Sequence, residues 1–228
     1  MKILARANKK LRGNGKFYTI PEPAKSWFYV TKYDSNGYPI KAKTLNCSGA
    51  MPYTYMYGSY GAYKNIIPRF LREFEINEGV ISISNYAFAI CESLTSIIIP
   101  DGITSIGNNA FRGCISLKSI SIPDGVTSIE DSAFHSCKSL KNITMPSGIT
   151  RIESSAFYSA YGNCVFDFRK ATQVPTLANT DAFYNTSTKK IVVPDSLYDS
   201  WITATNWSST DYNIVTSIIK ASDYEASL

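Results

Sequence analysis

Few residues in this chain have the types and spacing that could do chemistry, and each such set is incomplete. The single histidine, His135, stands two positions before Cys137, a pairing in which imidazole could serve as base to a thiol nucleophile. A repeat pattern explains Cys137 without that role. Zinc needs closely paired ligands, yet no two of Cys47, Cys91, Cys114, Cys137 and Cys164 follow a C-x₂₋₄-C spacing. Their odd number gives no legible disulfide framework, so they read as reduced. Gly13-Asn14-Gly15-Lys16 resembles the end of a phosphate-cradling loop, but Lys10 replaces its first glycine and Phe17 its Ser/Thr. The acids are scattered, and the adjacent Glu130 and Asp131 read as turn residues. No catalytic residue, cofactor or metal site is predicted, and the protein is expected not to be an enzyme.

The elements that carry these residues are repeats. Ala-Phe pairs recur every 23 residues, at Ala87-Phe88, Ala110-Phe111, Ala133-Phe134 and Ala156-Phe157. A constant period of this length means a solenoid. Leu94, Leu117 and Leu140 align at the same step, as do Ile97, Ile120 and Ile143, then Ile99, Ile122 and Met145. Their alternation with polar residues predicts a short, half-buried strand. Pro100, Pro123 and Pro146 close each run, since proline gives no N–H to a ladder. Asp101-Gly102, Asp124-Gly125 and Ser147-Gly148 follow as turns. A second apolar pair comes next: Ile103 with Ile106, Val126 with Ile129, Ile149 with Ile152. One coil cannot bury these side chains alone, but stacked coils bury them jointly. Cys91, Cys114 and Cys137 then form a column of small buried groups.

These residues resemble the BspA-like (treponemal-type) leucine-rich repeat family over about residues 71–193. The resemblance implies an α/β repeat solenoid, a leucine-rich repeat of 23-residue coils, each a short strand plus a turn or short helix. The first coil is degenerate, with Asn77 at the proline position, and the last coils drift, with Ala160 at the cysteine position. Atypical end coils suit capping of exposed core and sheet edge. Residues 194–228 read as the family's helical C-terminal cap. There Asp195 or Ser196 would cap a short helix, and Leu197, Trp201 and Trp207 would cover the last coil.

Residues 1–70 are not repeat, and read as a small β-rich head that anchors and caps. Two β-prone runs surround Ser35-Asn36-Gly37, a hairpin signal. Tyr53, Tyr55, Tyr57, Tyr60 and Tyr63 follow, suited either to recognition or to covering the first coil. Residues 1–43 hold ten Lys/Arg against two acids, whereas the rest holds 13 bases and 16 acids. A basic head on a mildly acidic body is either a solvated arm or a surface that docks on something negative. Lys9, Lys10, Arg12 and Lys16, with Tyr53, Tyr55 and Tyr57, are the candidate docking residues. No apolar run reaches the length of a membrane span, and no apolar stretch follows the basic N-terminus as a secretory signal requires.

What remains is surface. The outward positions of the first strand of each coil place Ser96, Ser119, Ser121, Asn142 and Thr144 on one face. Such columns could hydrogen-bond a glycan or peptide, or be the solvated face of a sheet, and no column of aromatic rings accompanies them. The first functional reading is a phage virion component (fibre, tail or decoration type) that displays the repeats for host attachment. Its location would be the virion, since no export signal is visible. The second is a BspA-like adhesin at the bacterial cell surface, or a cytoplasmic protein-interaction module. Protein partners through the head, a host-surface glycan or protein, and a second copy of the chain fit either reading. Nucleic acid does not.

Overall fold

A computed structural model describes residues 71–160, 163–186, 189–209 and 214–228. Before residue 71 it describes the backbone of seven short strands and the side chains of Lys41, Ala42 and Lys43. β1 (Leu11–Gly13) pairs antiparallel with β2 (Lys16–Tyr18). β3 (Phe28–Tyr33) and β4 (Pro39–Thr44) pair antiparallel around the expected turn sequence. β5 is Gly49–Ala50, and β6 (Met56–Tyr57) pairs antiparallel with β7 (Ala62–Tyr63).

Two strands then recur in every coil: β8 (Glu73–Glu75) with β9 (Val80–Ile83), β10 (Ser96–Ile98) with β11 (Ser105–Ile106), and β12 (Ser119–Ser121) with β13 (Ser128–Ile129). β14 (Asn142–Thr144) with β15 (Arg151–Ile152), and β16 (Val165–Asp167) with β17 (Thr176–Leu177), follow the same plan. β18 (Lys190–Val193) closes the series. Pairing between coils is parallel and places equivalent residues opposite one another, Ile120 against Ile143 and Ile143 against Phe166. These alternate residues are buried while Ser119, Ser121 and Asn142 are exposed, so one register satisfies core and solvent together.

The third wall is a turn in the first four coils and a short 3₁₀ helix, Thr180–Phe183, in the last. The turns carry two left-handed residues each, such as Asn109 and Gly113, then Ser132 and Ser136, then Ser155 and Ser159. Glycine, asparagine and serine dominate there because a short or absent side chain tolerates positive φ. Tyr86 and Ile90, both at φ 60°, are the strained exceptions, in the degenerate first coil. The turn wall is the continuous one. Phe88, Phe111, Phe134 and Phe157 donate their N–H groups to Ala110, Ala133, Ala156 and Ala182 at 2.7–2.8 Å. The strand ladders, by contrast, are interrupted between β10 and β12 and between β11 and β13.

Down the middle runs a stack of rings. Phe88 to Phe111, Phe111 to Phe134 and Phe134 to Phe157 have centroids 5.1, 5.2 and 5.6 Å apart, within 7° of parallel. Phe183 continues it at 5.4 Å, and Phe74 closes the other end edge-on. Beside the rings, Cys91, Cys114 and Cys137 are buried thiols. Cys114 and Cys137 donate S–H to the carbonyls of Phe88 and Phe111 at 3.1 and 3.2 Å. Cys164, left outside the column by its position in the sequence, is also buried and close enough to Cys137 to raise its pKa.

Both ends differ from expectation. At the N-terminal end the head does not merely cover the first coil: β4 joins its sheet in parallel, Lys41, Ala42 and Lys43 opposite Glu73, Phe74 and Glu75. β5 does the same against β9. Ala42 is buried, Lys41 pairs with Glu73 at 3.2 Å, and Lys43 pairs with Glu75. Two of the head's bases are therefore matched by acids of the body, a register lock that also blunts the sheet edge.

At the C-terminal end, α1 (Tyr198–Thr203) has no side-chain cap from Asp195 or Ser196. A new strand, β19 (Ile218–Lys220), pairs with β18, and α2 (Ala221–Glu225) follows it. Asp195 instead accepts the N–H of Ser222, in the first turn of α2, at 3.1 Å. The cap is thus a strand between two very short helices. Trp201 and Trp207 are fully buried in it, edge-on to Phe168 at 5.1 and 5.9 Å.

Candidate functional site

The candidate residues on the first wall lie where alternation puts them. Ser96, Ser119, Ser121 and Asn142 are exposed and Thr144 is half-buried, in rows fixed by the strand register. Ile98 interrupts the serine row, 59% exposed. Lys9, Lys10, Tyr53 and Tyr55 lie outside the described residues, and Arg12, Lys16 and Tyr57 fall in β1, β2 and β6, whose side chains are not described.

Side-chain hydrogen bonds between coils run in one-repeat steps. Thr95 donates its hydroxyl to the Arg72 carbonyl at 2.9 Å, and Thr150 donates to Thr127 at 2.9 Å. Asp124 accepts the Ser147 N–H at 2.9 Å. That bond holds the Asp124 carboxyl below the usual carboxylate range, with Lys170 assisting. Close stacking also dictates Gly107, where a Cβ would lie 2.3 Å from the Asn85 carboxamide oxygen.

A column of rings absent from the strand face runs along the turn wall. His135 stacks on Tyr158 at 4.8 Å and 4°, and Tyr158 meets Tyr184 at 4.9 Å, tilted by 36°. These residues occupy the position after each Ala-Phe pair, so the Ala-Phe spacing itself was the signal that could have found them. His135 also shares a 2.9 Å hydrogen bond with Ser136 Oγ. Burial, then the charge of Arg112, push its pKa down from 6.5.

The linkage has a definite sign. The unfolded imidazole protonates first as pH falls, so its contribution is intact above pH about 6.5 and declines toward the lower folded pKa. The thermal midpoint of the wild type should therefore drop between pH about 7 and 5. His135→Phe should flatten that part of the profile, since no other histidine is present. A slope unchanged in the variant would sink the assignment.

The arrangement also bears on thiol chemistry. Burial, followed by the neighbouring thiols, raises the pKa values of Cys114 and Cys137, and burial raises Cys164 to about 12. A thiol held protonated is not a nucleophile, and the His135 ring engages Ser136 and Tyr158 instead. Among the described residues no group of three or more His, Cys, Asp and Glu is placed to hold a metal ion. Among them, too, no helix is long and apolar enough to cross a membrane.

The repeated coils have a counterpart among known families. Residues 61–172 match, in six copies, the family described as BspA type Leucine rich repeat region. The repeat body is a BspA-type leucine-rich repeat. Its match begins ahead of the first coil read from the sequence, and β4 and β5 lie before it.

Solved structures similar to this BspA-type chain include the pneumococcal vaccine antigen PcpA, 21% identical with a TM-score of 0.50, over 66% of this chain and 34% of that one. A leucine rich cell surface protein from Faecalibacterium prausnitzii is 26% identical with a TM-score of 0.45, over 70% of this chain and 36% of that one. The Leucine Rich Repeat protein of T. pallidum is 21% identical with a TM-score of 0.48, over 75% of this chain and 70% of that one. The chain thus spans about a third of the length of the first two. PcpA shares the fold. No curated protein matches the sequence.

Proposed function

We propose that this protein is a non-catalytic binding module of adhesin type, displayed at a bacterial cell surface, with a protein as ligand. The observation that carries the reading is the exposed strand wall. Its outward rows, Ser119, Asn142 and Val165, then Ser121, Thr144 and Asp167, are held in register by a core that needs none of them. A rigid, repeated polar surface is how stacked-coil proteins bind extended partners. Membership of the BspA-type family favours this adhesin reading over the virion component. Neither the family nor the solved relatives supply support for a particle, and the chain's first residue does not decide where it works. Lys9, Lys10, Arg12, Lys16, Tyr53, Tyr55 and Tyr57 remain our candidates for docking through the head.

The test is binding of the labelled full-length chain to separate panels of purified host-surface proteins and glycans. Ser119→Lys/Ser121→Lys should lower affinity for the captured ligand at least tenfold, about 1.4 kcal/mol, without changing the thermal midpoint. Arg112→Ala on the turn wall should not. Binding only to glycans would overturn the protein-ligand reading, and an unchanged affinity in the double variant would remove the strand wall from it.

A further inference from the structure

The outer strand wall changes character at its C-terminal end. By register, Asp167 and Val192 extend the row of Ser121 and Thr144, while Val165 and Lys190 extend that of Ser119 and Asn142. Val192 alternates with the core residues Ile191 and Val193 and therefore points outward. It is nonetheless fully buried. The chain's own tail lies at this end of the wall, since α2 follows β19 and packs on both β18 and β19.

This helix is five residues long and buries no side chain of its own, so neither propensity nor an apolar stripe holds it. Polar contacts do. The Arg169 guanidinium and the Lys190 ammonium lie 5.9 and 5.4 Å from the centre of the Tyr224 ring. Arg169 Nη1 donates to Glu225 at 3.0 Å. The same guanidinium gives Nε and Nη2 to the two oxygens of Asp167 at 2.9 and 2.8 Å, which fixes its direction and leaves Nη1 for the tail. Burial raises the Asp167 carboxyl and these bonds lower it by more, so it stays ionised. Contacts of this kind at exposed positions are individually weak and screened by salt, which makes the occupant exchangeable.

We propose that Asp167, Arg169, Lys190 and Val192 form a recognition site for a protein segment bearing an aromatic residue followed by an acid. Tyr224-Glu225 is its resident occupant in cis. The site supplies two cations for the ring, one directed donor for the carboxylate and an apolar floor. It rests on the reading of the strand wall as the binding face, and it names the chemistry of the partner: an aromatic-acidic peptide that displaces the tail.

The test uses full-length protein and a fluorescent synthetic peptide of residues 220–228. Tyr224→Ala/Glu225→Ala vacates the site at two surface positions, and circular dichroism checks the fold. Should that chain fail to fold, Glu225→Gln alone serves as the vacated form. The peptide should bind the vacated chain at least tenfold more tightly than the wild type, and weaken as salt rises from about 50 to about 500 mM. Adding Arg169→Ala should abolish this binding, and a peptide lacking Tyr and Glu should not compete. Equal binding to wild type and vacated chain, no binding to a folded vacated chain, or binding that survives Arg169→Ala would each overturn the proposal. Panel ligands are read separately: if they still bind while the peptide does not, the tail site fails and the binding-module reading stands.

Discussion

Phe134→Ala will destabilise the chain by about 3–5 kcal/mol, a large share of what a domain has to spare. Phe134 is fully buried, with Phe111 at 5.2 Å on one side and Phe157 at 5.6 Å on the other. The backbone cannot close the resulting hole, because the Phe134 N–H and the Ala133 carbonyl are bonded to adjacent coils at 2.8 Å. In a stack where each coil touches only its neighbours, a central defect weakens two interfaces at once. Phe134→Leu, which refills much of the volume, should lose much less. Urea unfolding would check both: a lower midpoint at unchanged slope is expected. A loss under about 1 kcal/mol in Phe134→Ala would mean that the rings are not the spine of the fold.

Trp207→Ala will cost about as much, by opening the end of the stack. The Trp207 indole donates to the Pro175 carbonyl at 2.7 Å and packs near Phe168, Phe183 and Trp201. Truncation removes a ring of large area, leaves the Pro175 carbonyl short of a donor and bares apolar coil surface. Light scattering should therefore report self-association alongside the fall in stability. Trp201 provides the contrast. It is equally buried, but its Nε1–H has no acceptor among the described residues. Trp201→Phe keeps a ring in place and removes an unsatisfied donor, so its effect should stay within about 1 kcal/mol of zero. A Trp201→Phe loss comparable to that of Trp207→Ala would contradict this account.

The repeat body was legible because its determinants are local and periodic. Ile120 and Ile143 had to point inward once Ser119, Ser121 and Asn142 alternated with them, and the Ala-Phe step placed every ring of the stack. The head was legible only as a hairpin. That Lys41 and Lys43 meet Glu73 and Glu75 depends on parallel pairing between strands far apart in sequence, and alternation within one strand cannot name its neighbour. The cap was misread for a related reason. Asp195 stands where a helix cap would, but its carboxylate is used 27 residues later, at Ser222.

By itself the sequence determined the solenoid, its inward and outward sides and the buried thiol column. Each follows from residue type at a fixed spacing, since a side chain's side of a strand is settled by its immediate neighbours. Only the tertiary structure decided what lies on those sides. It joined β4 to the first coil and laid α2 against β18 and β19, with Tyr224 and Glu225 on Arg169. These are contacts between segments with no common period, selected by which surfaces were left to be covered once the coils had stacked.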